Sequence, residues 1–137
     1  MALPLQPEAT MRVLIVDDYP GLVELYDLTL GAHGFEVVGA ATVAEAMSRA
    51  ASEHFDAAVV DVQLPDGSGV DLVEALRRIP ALTIAPMVGI SAFAAHDLMG
   101  HFDAYLAKPF PPQHLASLLR RLCNQARRRA NPSPLNT

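Results

Sequence analysis

Short apolar runs and longer amphipathic stretches alternate along the chain. Five apolar runs of four to six residues are bounded by polar or turn residues, which is typical of buried strands. They are residues 12–16, 35–40, 57–60, 87–90 and 104–107. The stretches between and after them space their apolar positions as helices do. Alternating strands and helices predict a parallel sheet that helices cover on both faces.

Capping and breaking residues mark the first two predicted helices. Pro20 suits the first turn of a helix, and Gly34 suits its end. The apolar positions of this helix are Leu22, Val23, Leu25, Tyr26 and Leu28. Thr42 and Glu45 have the spacing of a capping box, so we expect a second helix that begins there and runs to about His54.

Three further helices complete the alternation. Residues 65–67 predict a turn, after which Ser68 caps the third helix. A short fourth helix is predicted at 94–100. The last helix runs from about Pro111 to Arg129 and carries one apolar stripe at helical spacing. The stripe consists of Leu115, Leu118, Leu119, Leu122 and Cys123.

These elements place most of the chain in one domain. We expect a flexible leader at 1–10, one α/β domain at 11–129 and a flexible tail at 130–137. The order of elements is that of a flavodoxin-like, doubly wound (βα)5 fold. We expect its five-stranded parallel sheet to have the strand order 2-1-3-4-5, in which the first and third strands are neighbours.

The residues that could take part in chemistry follow directly on predicted strands. Asp17 and Asp18 follow the first strand, and Asp61 follows the third. Ser91 follows the fourth strand and Lys108 the fifth. In an open parallel sheet, ligands bind outside the carboxyl ends of the strands. We therefore expect the three acids to converge from adjacent strands, with the hydroxyl and the lysine approaching beside them.

Three carboxylates this close repel one another. At 4 Å, each pair costs roughly 4 kcal/mol at an effective dielectric constant near 20, so protons or a cation must neutralise some of the charge. A cluster of hard oxygen ligands without His or Cys favours Mg²⁺ over zinc. A lysine and a hydroxyl beside the metal can bind phosphoryl oxygens. The pattern thus indicates a site that accepts phosphate onto a carboxylate.

Four motifs in this order resemble those of one family. They are residues 13–18, 59–69, 90–92 and 104–110. With these motifs the chain resembles the receiver domain of a two-component response regulator, of the stand-alone, single-domain type. The resemblance covers about residues 11–128. Any one motif would be weak, but four of them at suitable strand ends are a strong signal.

The resemblance implies a role for each acid. Asp61 matches the phosphoacceptor, which takes its phosphoryl group from a histidine on a partner kinase or phosphotransfer protein. Asp17 and Asp18 match the acidic pair that binds Mg²⁺, with Asp18 as a direct ligand and Asp17 acting through water. The backbone carbonyl of Gln63 and the Asp61 carboxylate complete the metal ligands.

The resemblance also implies a switch. Ser91 matches the hydroxyl that moves to bond a phosphoryl oxygen, and Lys108 matches the lysine that bonds the phosphoryl group or the acceptor carboxylate. Tyr105 matches the aromatic residue that turns inward when Ser91 moves. We expect this movement to remodel the face formed by the fourth helix, fifth strand and last helix. A downstream protein would read that face, and a second copy of the chain is a possible partner there.

The chain departs from the family pattern in three places. His101, Phe102 and Asp103 stand where a glycine-containing turn is usual, so we expect an unusual loop before the fifth strand. Gln63 and Phe93 flank the expected phosphoryl group, where their size affects attack by water. No output domain is expected after the last helix.

Composition and charge narrow the function further. Half of the residues are hydrophobic (51%), and one cysteine excludes a disulfide framework. No apolar run is long enough for a membrane helix, so we expect a cytoplasmic protein. Residues 1–103 carry a net charge of −11, which makes nucleic acid an unexpected partner. Residues 104–137 carry +6, which fits a solvated helix face or a docking surface for an acidic partner.

Two other functions stay open at this point. Phosphatases with an aspartate nucleophile have a similar site, but they carry a second acid two residues after the nucleophile. Gln63 occupies that position here and cannot exchange a proton. The other alternative is an interaction module that works without phosphorylation.

Overall fold

The computed structural model of the protein describes residues 10–92 and 100–130. Apart from their boundary residues, the predicted leader, fourth helix and tail lie outside the described residues, and so does Phe93. Within the described ranges, no helix is both long enough and apolar enough to span a bilayer.

Seven strands and four α-helices follow one another along the chain. They are β1 (Met11–Val16), α1 (Pro20–Gly31), β2 (Phe35–Ala40), α2 (Val43–Ser52), β3 (Ala57–Asp61), β4 (Gln63–Leu64), β5 (Gly67–Ser68), α3 (Gly69–Arg77), β6 (Met87–Ser91), β7 (Ala104–Ala107) and α4 (Pro112–Ala130). A single 3-10 turn lies at Pro80–Leu82. These numbers of strands and helices refer to residues 10–92 and 100–130.

Five of the strands form one parallel sheet in the order β2-β1-β3-β6-β7. Since β6 and β7 are the fourth and fifth predicted strands, the predicted order 2-1-3-4-5 and the flavodoxin-like fold are confirmed. The remaining two strands, β4 and β5, pair only with each other as an antiparallel hairpin. The sequence predicted no strands here, only the turn that joins them.

Successive side chains along each central strand point to opposite faces of the sheet, which divides the core into two layers. Val13 and Ile15 pack with α1 and α4 on one face of the sheet. Leu14 and Val16 pack with α2 and α3 on the other face. All four side chains are fully buried. A strand buried on both faces cannot alternate between apolar and polar residues, which explains the continuous apolar runs of the sequence.

Helix α1 differs from the prediction in which apolar residues it buries. Tyr26 and Leu30 are buried under the sheet. Leu25 and Leu28, which were predicted to be core positions, are 44% and 76% exposed. Leu28 points away from the buried stripe because it lies more than a quarter turn from both buried residues on a 3.6-residue helix. Gly34 lies beyond the helix end with a φ of 88°, in the left-handed region that glycine adopts easily.

Side-chain caps form at the amino ends of α2 and α3, as expected. The Thr42 hydroxyl accepts a hydrogen bond from the Glu45 N–H, and the Ser68 hydroxyl accepts one from Val70. Helix α2 ends at Ser52, two residues before the predicted end. In α4, the predicted stripe faces the core, with Leu115, Leu119 and Cys123 buried and Leu118 and Leu122 packed beside them.

Side-chain contacts hold the end of the loop before β7, at Phe102 and Asp103. Phe102 is buried and occupies the space that a side chain at Gly89 would fill, 2.8 Å from an added Cβ. The Asp103 carboxylate accepts hydrogen bonds from the Met87 N–H and the Arg77 guanidinium. Among the described residues, only glycine has a positive φ. His101, Phe102 and Asp103 therefore have ordinary backbone conformations. The expectation that the whole loop is unusual stays a prediction, since residues 93–99 lie outside the described ranges.

Candidate functional site

Three carboxylates meet at the carboxyl edge of the sheet. Asp17 directly follows β1 and Asp61 ends β3, which is the neighbouring strand. One oxygen of each, together with one of Asp18, lies within 4.8 Å of the others. Asp17 and Asp61 are buried, whereas Asp18 is exposed. The predicted convergence of the three acids is thus present.

Lys108 links the two buried acids. Its Nζ lies 2.9 Å from Asp17 Oδ2 and 3.0 Å from Asp61 Oδ2. Burial alone lowers the pKa of Lys108, but hydrogen bonds and charge from the two aspartates outweigh burial and raise it. The ammonium group therefore stays charged at neutral pH and supplies one positive charge to the cluster.

Backbone groups hold the second oxygen of each buried carboxylate. The Tyr19 N–H donates to Asp17 Oδ1, and the Gln63 N–H donates to Asp61 Oδ1, both at 2.9 Å. In each case the donor is two residues after the acid, so the turn that leaves the strand also orients the carboxylate. Each acid is thus held on one side by its own loop and on the other side by Lys108. This leaves both carboxylates with fixed directions.

Close backbone packing beside Asp61 leaves no room for a side chain at Gly69. Gly69 begins α3, and its N–H donates to the Val62 carbonyl at 2.8 Å. A Cβ on Gly69 would lie 2.2 Å from the Asp61 carbonyl oxygen. Only glycine fits this close approach. Gly69, the last residue of the 59–69 motif, is therefore required by the backbone that carries Asp61.

Ser91 and Tyr105 lie on the adjacent strands. Ser91 ends β6 and is buried, and its carbonyl accepts a 2.7 Å hydrogen bond from the Lys108 N–H. Tyr105 lies on β7 opposite Gly89 and is half-buried. All seven residues that the sequence singled out therefore lie in or next to one edge of the sheet.

An apolar cavity opens beside Lys108. Its volume is about 420 Å³, and Tyr19, Leu22, Leu25, Tyr26, Lys108, Pro109, Phe110 and Pro112 line it. Tyr26 stacks on Phe110 with ring centroids 5.9 Å apart. Burial, together with the nearby aspartates and against the effect of Lys108, raises the pKa of Tyr26 to about 12. Sequence reasoning placed Tyr26 only in the helix core, because nothing local in the sequence shows that it lies near Lys108.

Comparison with known proteins assigns the chain to a family. Residues 13–120 match the model of the response regulator receiver domain. The chain belongs to this family. Receiver domains are signalling switches, and the edge that carries Asp61 is the candidate receiver site of this chain.

Individual response regulators and receivers are similar to this chain over most of its length. The chain is 37% identical over 114 residues to the response regulator protein PilR of Pseudomonas aeruginosa, a match that covers 79% of this chain and 25% of PilR. The chain therefore spans about a quarter of that relative's length. A CheY-like receiver from Methanospirillum hungatei has a TM-score of 0.82 at 25% identity, covering 88% of this chain and 99% of that one. TrrA of Thermotoga maritima, solved in complex with Mg²⁺-BeF, has a TM-score of 0.73 at 25% identity, covering 82% and 98%.

The acids of this receiver suit a magnesium ion. Three carboxylates offer oxygen ligands within reach of one another, and neither His nor Cys belongs to the group. Hard oxygen ligands in small number are what Mg²⁺ prefers in sites that also bind phosphate. Asp18 is the exposed member, so a hydrated ion can reach it directly.

Proposed function

We propose that this receiver accepts a phosphoryl group on Asp61 from a phosphohistidine of a histidine kinase or phosphotransfer protein, in a Mg²⁺-dependent reaction in the cytoplasm. The observation that carries the proposal is the bridge from Lys108 to Asp17 and Asp61 at the sheet edge. This bridge leaves a charged donor beside the acceptor oxygen, where the phosphoryl oxygens would arrive. Electrostatic donors already in position are the main source of catalysis in phosphoryl transfer.

The transfer needs little from the protein beyond position and charge. An oxygen of the Asp61 carboxylate forms a bond to phosphorus as the bond from phosphorus to the histidine nitrogen breaks. The electron pair of that bond stays on the imidazole, which leaves as a neutral ring once protonated. Bound Mg²⁺ would neutralise charge on the carboxylates and the phosphoryl oxygens. Lys108 would donate a hydrogen bond to one phosphoryl oxygen, and the Ser91 hydroxyl would donate to another.

The signal would leave the site through β6 and β7. Ser91 pairs with Ala107, so a shift of Ser91 toward the phosphoryl group acts on the strand that carries Tyr105. We propose that Tyr105 turns inward and changes the surface of β7 and α4. A downstream protein, or a second copy of the chain, would read this surface. Apart from Gly100, the third element of the expected face, at 94–100, lies outside the described residues.

The cavity beside Lys108 supports a protein donor. Asp61 is 12% exposed at its side chain. We propose that a donor histidine enters between the loops that follow β1 and β7, beside the cavity. Apolar residues from both sides of that entrance line the cavity. An apolar surface at the entrance is suited to a folded donor, whereas a small phosphodonor such as acetyl phosphate needs no such contact.

The proposal is tested by incubating the protein with acetyl phosphate and Mg²⁺ and measuring intact mass. We expect a gain of one phosphoryl group, about 80 Da, that depends on Mg²⁺ and is lost in Asp61→Asn. Asp71→Asn is the matched control, because Asp71 is an exposed acid in the first turn of α3 outside the cluster.

Other results would support the alternatives. Continuous release of phosphate from small esters would support the phosphatase, which Gln63 makes unexpected. A folded protein that gains no mass from acetyl phosphate or from phosphorylated donors would support the interaction module that works without phosphorylation.

A further inference from the structure

Asp66 lies at the tip of the β4–β5 hairpin and bonds to a different element of the fold. Its carboxylate accepts hydrogen bonds from the Val43 N–H at 2.7 Å and from the Ala44 N–H at 3.1 Å. These residues begin α2 and lie more than 20 positions earlier in the chain. The two hydrogen bonds lower the pKa of Asp66, so the group is a carboxylate at neutral pH.

The start of α2 depends on this contact. A helix leaves its first N–H groups without partners inside the helix. Thr42 provides for one of them, since its hydroxyl accepts from the Glu45 N–H. Asp66 provides for two others, the N–H groups of Val43 and Ala44. The first turn of α2 is therefore capped partly by its own chain and partly by the hairpin.

Packing reinforces the same contact. A Cβ added to Gly67 would lie 3.3 Å from Cγ2 of Val43, so the hairpin tip already lies against the first residue of α2. The hydrogen bonds and the packing thus join the same two elements. The position of the hairpin tip is set by α2.

The hairpin in turn reaches the receiver site. Its strands pair Gln63 with Ser68 and Leu64 with Gly67, on either side of the turn that holds Asp66. The Gln63 N–H donates to Asp61 Oδ1. Only two residues therefore separate Asp66, which bonds to α2, from Gln63, which bonds to the acceptor carboxylate, and the paired hairpin joins them.

We propose that Asp66 is a positioning residue for the receiver site. Its bonds to α2 hold the hairpin so that Gln63 keeps its N–H on Asp61 and its carbonyl in place for the metal. The effect on Gln63 follows from the geometry alone, and the effect on metal and phosphoryl binding rests on the function proposed above.

The test compares Asp66→Ala with Thr42→Ala. Each variant removes side-chain capping from the first turn of α2, but only Asp66→Ala releases the hairpin. We expect Asp66→Ala to change the amide chemical shift and hydrogen-exchange rate of Gln63 without metal. We also expect it to weaken Mg²⁺ binding by about tenfold in calorimetric titration, as for other residues that orient metal ligands. Thr42→Ala should leave the Gln63 amide unchanged and Mg²⁺ affinity within about twofold.

Each outcome bears on the proposal. Equal effects of the two variants on Gln63 and Mg²⁺ affinity would overturn it, because Asp66 would then act only as a helix cap. An unchanged Gln63 amide in Asp66→Ala would also overturn it. A shifted Gln63 amide in a protein that takes up no phosphate would keep the positioning role and reject the proposed function. If Asp66→Ala does not fold, Asp66→Asn keeps one acceptor oxygen and should give an intermediate shift of Gln63.

Discussion

Lys108 is the residue on which the charge balance of the site depends. Its side chain is 22% exposed, whereas that of Asp17 is fully buried. Removing one member of a buried ion pair costs roughly 3–5 kcal/mol, since the other charge is left without a partner. Partial exposure of Lys108 reduces this cost by allowing water to reach the cluster. The lysine therefore serves both folding and the proposed chemistry.

We predict that Lys108→Met lowers the free energy of unfolding without metal by about 2 kcal/mol. Mg²⁺ should restore part of the loss, because the ion replaces the missing positive charge. Urea denaturation with and without Mg²⁺ measures both effects. Arg121→Met is the matched control, since Arg121 is an exposed cation on α4 that pairs with no carboxylate within 10–92 and 100–130. A Lys108→Met protein as stable as the control would contradict the prediction.

The pH dependence of this pairing has a definite sign. The pKa of Lys108 is raised above its ordinary value of 10.5, so the folded state binds the proton more tightly than the unfolded state. Its contribution to stability is fully present below the ordinary pKa and is lost as the pH rises through the folded pKa. The bridge is therefore intact throughout the neutral range.

Single residues also show where sequence reasoning reached its limit. Lys108 and Asp61 could be predicted, because each follows a strand and the strand order brings those ends together. Asp66 could be predicted only as a turn residue. Its partners on α2 are distant in the chain, and no local spacing marks a carboxylate that caps another helix.

Among the described elements, α1 carries two apolar surfaces. One packs on the sheet through Tyr26 and Leu30. The other includes Leu25, which lines the cavity beside Lys108, and Leu28, which is more exposed and does not line it. This division permits a comparison between two leucines on one helix.

We predict that Leu25→Asp slows phosphoryl transfer from a phosphorylated histidine phosphotransfer protein by roughly tenfold, because a charge would replace an apolar contact at the entrance. Leu28→Asp should stay within about twofold of the unchanged protein. Rates with acetyl phosphate should be the same for all three, since a small donor needs no contact there. Equal slowing by both variants, or slowing with acetyl phosphate, would reject the cavity as the donor surface.

Local signals decided which elements could be predicted. The caps at Thr42 and Ser68 act within two or three residues, so their spacing is visible in the sequence. The β4–β5 hairpin was missed because two-residue strands carry no periodicity. The exposure of Leu28 was missed because apolar residues on both sides of α1 conceal which side is buried.

At the scale of the whole molecule, the strand order gathers charge at one edge of the sheet. The alternation of strands and helices was enough to predict a parallel sheet. The order 2-1-3-4-5, one of those such a sheet adopts, then predicts the acidic cluster. Distances and burial could not be predicted, because they depend on how loops leave the strands. The result is a folded state that keeps three carboxylates close together with one lysine. An unfolded chain would separate them.

A metal that binds this cluster should therefore stabilise the whole domain. An ion that binds only the folded state, at 100 times its dissociation constant, adds about 2.7 kcal/mol to the free energy of unfolding. For a domain of this size we predict a rise in Tm of roughly 10 °C with Mg²⁺, measured by calorimetry. Asp18→Asn should reduce this rise to about 2 °C or less, because it removes the exposed ligand while leaving the Lys108 bridge in place. NaCl at equal ionic strength separates binding from screening, which acts on any cluster of like charges. If Mg²⁺ raises the Tm of both proteins equally, the ion acts by screening alone and the acids do not form a specific metal site.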